Sequence, residues 1–355
     1  MSLAFDKIPH LPLELFALTI EYLTDKSDLL RCSLVCRGWL PFARGNLTIS
    51  ISTETSVTRL KDILACPENT LASTIRHLTL SEPDVETILP SLGSFTQLRS
   101  LRLWEMDAID LPALASLTYL ELDDFVHFDS CTSFLRFLSG TSNLQHLVLG
   151  NVSWDNDDPE CALPALHLRS LQMWFHASRL DQRLMSTLHT KSLQLAWGDI
   201  SASLDVVSKY LHVLGSDLES LQFVDLNDEG LNALSNLDFS ASVNLVHLSV
   251  DGGVYYDEGT GVASVSPMLA PLLSNVARHT RLQTLQLYVD WEFECDTTLW
   301  LPPSRLGELL RTDPFTSIHT IRLSCVFIHA FEDVRDSIIA TLQTGLSDSR
   351  VICDL

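Results

Sequence analysis

The stretch Asp155-Asn156-Asp157-Asp158-Pro159-Glu160 comes nearest in this chain to a constellation with chemistry of its own, because alternating carboxylates on a loop can hold calcium. The spacing fails at its second half. Pro159 stands where a ligand is wanted and Glu160 where the sharp turn needs glycine, so the stretch reads as a solvated acidic loop. Gly252-Gly253 and Gly259-Thr260-Gly261 have the glycines of a phosphate cradle, but no lysine or helix start follows at the right distance, and they read as loop. The twelve histidines are dispersed without metal-ligand spacing. No G-x-G-x-x-G, Walker-type, G-x-S-x-G or H-E-x-x-H pattern occurs. Of the eight cysteines, only Cys32 and Cys36 lie one helical turn apart, and there is no C-x-x-C pair; reduced core side chains are expected, not disulfides or zinc. No catalytic residue, metal or cofactor is therefore expected. An enzyme whose site no motif reveals stays open, and it would require a deep polar pocket with perturbed titrating groups.

The elements that carry the remaining function must come from a chain able to bury a large core, with 355 residues and 46% hydrophobic content. Forty-five acidic against 23 basic residues give a formal net charge of −22. That balance argues against nucleic acid and anionic membrane surfaces as partners and favours a basic one. Charges from Asp6 to Asp28 interrupt any apolar run suited to a secretory signal, so a cytoplasmic or nuclear location, or both, is expected. The sequons at Asn46 and Asn151 are discounted on the same ground. The uncharged run Gly259 to Ala277 contains two prolines and three serines and reads as loop and buried helix.

Near the N-terminus two apolar stripes share one helix. Pro12 suits a first helical position; Leu11, Leu15, Leu18 and Tyr22 follow one face, while Phe16, Ile20 and Leu23 follow a neighbouring one. After Thr24-Asp25-Lys26-Ser27, with Ser27 as a candidate N-cap, Asp28 to Trp39 is again helical and excessively apolar. Three short helices cannot bury so much surface themselves, which leaves a surplus for a partner. An ordinary helical cap plugging the next segment is the plainer alternative.

The order Leu11-Pro12-x-Glu14-Leu15, Ile20-x-Tyr22-Leu23, Asp28-Leu29-Leu30, then Leu34-Val35-Cys36-Arg37-x-Trp39 is more particular than periodicity demands, and it resembles an F-box. The resemblance covers Ile8 to Ala43, and residues 1–45 are taken as this module. It implies docking on a Skp-family adaptor and, through it, a cullin scaffold, through Leu11, Pro12, Leu15, Ile20, Leu29, Leu34, Val35, Cys36 and Trp39. Leu18, Leu23 and Leu30 are assigned to internal packing. Gly38 departs from the family's long polar side chain and marks a candidate helix break before Trp39.

From about residue 46 to 355 a unit L-x-x-L-x-L recurs, starting at Ile75, Leu98, Leu117, Leu144, Leu168, Thr190, Leu218, Leu245, Leu282 and Ile318. Most spacings fall near the roughly 20 to 29 residues of leucine-rich repeats. Leu47 to Ile51 supplies an earlier capping strand, and Phe331 to Leu346 with Arg350 to Cys353 a closing helix and strand. Helical periodicity marks Ser56 to Leu64, Phe134 to Leu138, Asp205 to Leu214 and Ser304 to Leu310. The array resembles irregular leucine-rich repeats that follow an F-box. The fold class expected is α/β: a three-helix F-box, then a right-handed leucine-rich-repeat solenoid. An α/β barrel or doubly wound sheet is the runner-up. The asparagine or cysteine of regular repeats is replaced by Met106, Phe125, Val152, Leu226 and Val326, and loops are expected after Asp251 and Asp290.

In each unit the leucines point inward and the third, fifth and seventh residues outward. The outward set proposed for target binding is Trp104, Tyr119, Glu121, Asp123, His146, Gln172 and Trp174, with Tyr288 and further glutamines beyond. Equally open, those aromatics fold back over the core. The acidic stretches Asp155 to Glu160, Asp225 to Glu229 and Asp290 to Asp296 would steer a basic target. The expected role is a non-catalytic substrate-recognition subunit of a cullin-based, SCF-type ubiquitin ligase recruiting an unidentified target protein. A scaffold acting outside ubiquitin transfer is the alternative.

Overall fold

A strand places successive side chains on opposite faces, so an L-x-x-L-x-L unit drives one face into a core. In the computed structural model every one of these units forms a strand. The structure describes residues 13–23, 25–36, 38–66, 72–81, 87–107, 111–123, 125–156, 165–175, 182–197, 204–257, 262–290, 308, 310, 318–325 and 351–354. The chain divides into two compact units, residues 1–144 with 152–162, and residues 145–151 with 163–355.

The first unit opens with α1 (Leu13–Glu21), α2 (Lys26–Val35) and α3 (Leu40–Asn46). Asp25, not Ser27, caps α2: its carboxylate accepts from the backbone N–H of Ser27 and Asp28. The Ser27 hydroxyl also donates to that carboxylate, and these hydrogen bonds hold it below the usual aspartate range. The helical run expected through Trp39 breaks earlier than Gly38. α2 ends at Val35, Cys36 turns extended, and Pro41 starts α3 in the first-turn position where a missing N–H costs nothing.

Next come β1 (Thr48–Ile51), α4 (Glu54–Ala65), β2 (His77–Leu80), a 3-10 turn at Leu89–Ser94, β3 (Ser100–Trp104) and β4 (Tyr119–Asp123). β1 to β4 pair in parallel, with Ile51, Leu80, Leu103 and Leu122 in one buried row and Leu78, Leu101 and Leu120 in another. β5 (Val126–Ser130), α5 (Cys131–Ser139) and β7 (Val152–Asn156) complete the unit; β6 (His146–Leu149) belongs to the second. β5 and β7 pair in parallel as a separate two-stranded sheet. Phe128, Phe134 and Trp154 pack there, with ring centroids 4.9 and 6.3 Å apart in turn. Asp155 and Asn156 therefore lie in a strand where an acidic loop was expected.

In the second unit β6 is followed by β8 (Leu166–Phe175), α6 (Gln182–Thr187), β9 (Leu188–Trp197), α7 (Leu204–Leu214) and β10 (Ser220–Val224). Then come α8 (Asp228–Leu234), β11 (His247–Asp257), β12 (Val262–Val265), α9 (Leu269–His279), β13 (Thr284–Asp290), β14 (Thr320–Cys325) and β15 (Val351–Asp354). The parallel order is β6-β8-β9-β10-β11-β13-β14-β15. The register aligns Leu147, Leu171, Leu193, Leu221, Leu248, Leu285 and Ile321, all buried. Such a row is one continuous core face. The Tyr210 hydroxyl of α7, buried beneath β9, donates to the Leu188 carbonyl at 2.9 Å.

Four expectations change. Among the described residues the insertion after Asp251 is strand where a loop was expected: β11 runs on through Gly252 and Gly253 and pairs antiparallel with β12. Asp225 to Glu229 is a tight turn entering α8, with Asp225 at φ 58° and Asp228 already helical. Met106 and Leu226 fill the core where asparagine was missed, but Phe125 swings out at φ 67° and Val126 enters in its place. Cys131 is buried as expected, whereas Cys66 is exposed. Phe331 to Leu346, 291–307, Val326 and most of Ser304 to Leu310 lie outside the described residues.

Candidate functional site

Which of two apolar stripes a short helix buries is decided by what sits opposite it. Ile20, Leu29 and Ala43 form the centre of the helical core, and Leu23, Cys32, Trp39, Phe42 and Leu47 pack around them. Phe16 meets Trp39 with ring centroids 5.0 Å apart and planes tilted by 46°. Trp39 thus pulls the Phe16-Ile20-Leu23 stripe inward and leaves the other stripe out. Leu15 and Leu18 on α1, Tyr22 just past its end, and Leu30, Leu34 and Val35 on α2 are all exposed, Tyr22 and Leu34 each to 85%.

Six large apolar side chains on or just past two adjoining short helices exceed the scattered singles of an ordinary surface. The division between contact and packing differs from the expected one. Ile20 and Leu29, assigned to the partner, are buried, and Trp39 is half-buried against Phe16. Leu18 and Leu30, assigned to packing, are exposed. Leu15, Leu34, Val35 and Cys36 lie at the surface as placed. Leu11 and Pro12 lie outside the described residues.

Residues 8–47 match the F-box-like family model. The F-box-like region so defined contains every one of these exposed side chains and ends one residue before β1. No curated protein matches the chain. Among solved structures the chain is similar to an internalin from Listeria monocytogenes at 15% identity, over 97% of this chain and 94% of that one, with a TM-score of 0.28. So low a score carries nothing further, and the parallel strand registers described above stand without it.

The outward strand residues fall in both units. In the first, Tyr119 donates its hydroxyl to Glu121 Oε2, and Arg102 Nε lies 3.1 Å from the same oxygen. The Arg102 guanidinium also sits 5.6 Å from the Tyr119 ring centroid. Burial, reinforced by the Glu121 hydrogen bond and charge, pushes the Tyr119 hydroxyl up to about 12. Glu121 is therefore engaged within the sheet, and Arg102, which the sequence did not single out, is what engages it. Trp104 is half-buried, and its indole N–H is covered without a partner among the described residues. Asp123 pairs with Trp104 in strand register. Nearby, burial first and then Arg76, Arg99 and Arg102 hold the His77 imidazole below its usual range.

In the second unit His146 Nδ1 and Ser170 Oγ lie 2.7 Å apart, Gln172 is half-buried, and Trp174 remains exposed. Both tryptophans are thus partly covered, Trp174 to the extent of being 37% exposed and Trp104 with its indole N–H enclosed.

One polar line escaped the motif search. His127 Nδ1 lies 2.9 Å from Ser153 Oγ, and its Nε2 lies 3.4 Å from Asp155 Oδ2. Residue types match those of nucleophilic catalysis, but Ser153 and Asp155 are exposed strand residues, and water competes for each contact. The line clasps β5 to β7. Among the described residues no group of three or more His, Cys, Asp or Glu is placed to hold a metal, and no helix is long and apolar enough to cross a membrane.

Proposed function

We propose that the chain is a non-catalytic substrate-recognition subunit of a cullin-based, SCF-type ubiquitin ligase. Its F-box-like helices dock on a Skp-family adaptor, and its leucine-rich strands, as successive turns of a right-handed solenoid within each unit, recruit a target protein. The observation that carries the reading is the exposure of Leu15, Leu18, Tyr22, Leu30, Leu34 and Val35 inside the region that matches the F-box-like family model. Covering a large aliphatic side chain contributes about 1.5 to 3 kcal/mol, so burying even part of six such residues supports a specific complex. Glu21, Asp28 and Arg31 stand among them as a polar rim, with Asp28 and Arg31 paired at 3.1 Å.

On this reading Ile20, Leu29 and Trp39 act indirectly, by holding α1 against α2 and α3 so that the outer stripe is presented. Leu11, Pro12 and Cys36 remain proposed contacts. For the target, Trp174, Gln172 and His146 in one unit and Tyr119, Asp123 and Trp104 in the other are the proposed contacts, while Glu121 orders Tyr119 and Arg102. Cytoplasmic or nuclear residence follows from the same role. The test is reconstitution of the purified chain with a Skp-family adaptor and a cullin. A stable three-component complex is expected, and failure of the chain to bind any such adaptor would refute the reading.

A further inference from the structure

The sheet of the second unit carries a strip whose composition departs from the rest of the chain. Its register brings Gln172, Gln194, Gln222, Ser249 and Gln286 into one row across β8, β9, β10, β11 and β13. The row two positions earlier on the same face holds serines on β8, β9 and β10, then His247 and Thr284. Neither row contains an aspartate, glutamate, lysine or arginine, although the chain is 19% charged and carries a net charge of −22. Surface positions normally take more than their share of charge, so two adjoining rows without any mark the strip as distinct, bounded by Arg322 beside Gln286 and by Asp251 in the following row. The residues of the amide row are half-buried, and the Ser249 hydroxyl within it is covered with no partner among the described residues.

Such a strip disfavours a charged occupant. An ionised side chain laid on β8, β9 and β10 would lose water and find no counter-charge within the two rows, Arg322 and Asp251 lying at the strip's edge, whereas a neutral polar group exchanges one hydrogen bond for another. Each glutamine amide offers donors and an acceptor, which is also what a peptide group offers. Neighbouring strands lie about 4.8 Å apart, so five of them span about 19 Å, the length of about six extended residues.

We propose that this strip receives an extended, uncharged polar segment of the target protein, whose main chain is read by the glutamine row. The inference rests on the reading that the strand face recruits a target, and it names the chemistry of what is recruited. It also assigns no binding role to the acidic stretches at the strand ends, so attraction to a basic target is not what holds the segment.

The test uses the full chain bound to its Skp-family adaptor and three labelled pools of synthetic peptides about six residues long. One pool is built from Ser, Thr, Asn, Gln and Gly, one is acidic and one is basic. The neutral pool is expected to bind, with less than about a twofold change in affinity as salt is raised to physiological strength. Gln194→Ala with Gln222→Ala should weaken it about tenfold or more, through lost hydrogen bonds. Gln194→Glu with Gln222→Glu, which keeps side-chain volume, should do the same. Binding by charged pools alone, by no pool, or by the neutral pool undiminished in both variants would overturn the proposal. The melting transition and adaptor binding are scored in the same samples: an unchanged melt shows that each variant is folded, and absence of adaptor binding in the unmodified chain would count against the ligase reading, not against the strip.

Discussion

Ile20 and Leu34 are aliphatic residues of similar size on neighbouring short helices, yet one is 2% exposed and the other 85%. The sign of a substitution should follow that difference. Ile20→Ala removes core packing beside Leu29 and Ala43 and is expected to cost about 2 to 5 kcal/mol, read as a lower denaturant midpoint. Leu34→Ala should leave stability within about 0.5 kcal/mol, because it opens no cavity. Equal losses at both sites would mean that the stripes are assigned the wrong way round. Tyr119 makes a second residue-level prediction. Its folded pKa, about 12, lies above the ordinary tyrosine value of 10.0, so the neutral hydroxyl is the form the fold favours. The corresponding stability is fully present below pH 10 and is lost as pH rises through 12. The phenolate absorbance missing from a Tyr119→Phe variant should therefore develop near pH 12; a component developing near pH 10 instead would contradict the burial of Tyr119 and its hydrogen bond to Glu121.

Among the elements, the repeat strands were legible because two signals coincide in them: leucine alternation at period two and recurrence at a near-constant interval. Every unit read from the sequence became a strand with its leucines buried. The elements that escaped lack one signal. β5 and β7 alternate properly, with Val126, Phe128 and Trp154 buried, but carry no L-x-x-L-x-L unit. β12 is an antiparallel return inside a repeat, which no repeat pattern announces. That return depends on Gly252. At φ +103°, a Cβ there would meet the Leu226 carbonyl oxygen at 2.1 Å, whereas one at Gly215, φ +51°, meets nothing within 4 Å. Gly252→Ala is expected to lower stability by more than about 2 kcal/mol and Gly215→Ala by about 1 kcal/mol, in denaturant melts of the full chain. Comparable small losses would show that β11 does not close on Leu226 as described.

For the whole molecule, the motif order located the F-box-like helices but not which of their apolar residues are left exposed. Both stripes of α1 are apolar, and the Trp39 ring against Phe16, together with Leu29 and Ala43 around Ile20, decides between them. On the strand faces the register was legible, and it sets Arg102 of β3 directly opposite Glu121 of β4, but the engagement of Tyr119 by the same carboxylate was not. The two candidate surfaces should act independently. Trp174→Ala on the second unit's sheet is expected to leave adaptor affinity within about twofold, since substitutions without shared partners are additive within a few tenths of a kcal/mol. A large loss would mean that the adaptor touches that sheet. The most direct test of the central claim is the affinity of the purified chain for a Skp-family adaptor, compared with that of a Leu34→Asp, Val35→Asp variant of unchanged melting temperature. Stable binding is expected, which the variant loses by at least about a hundredfold, as burying two unpaired carboxylates requires. Equal binding by both proteins would contradict it.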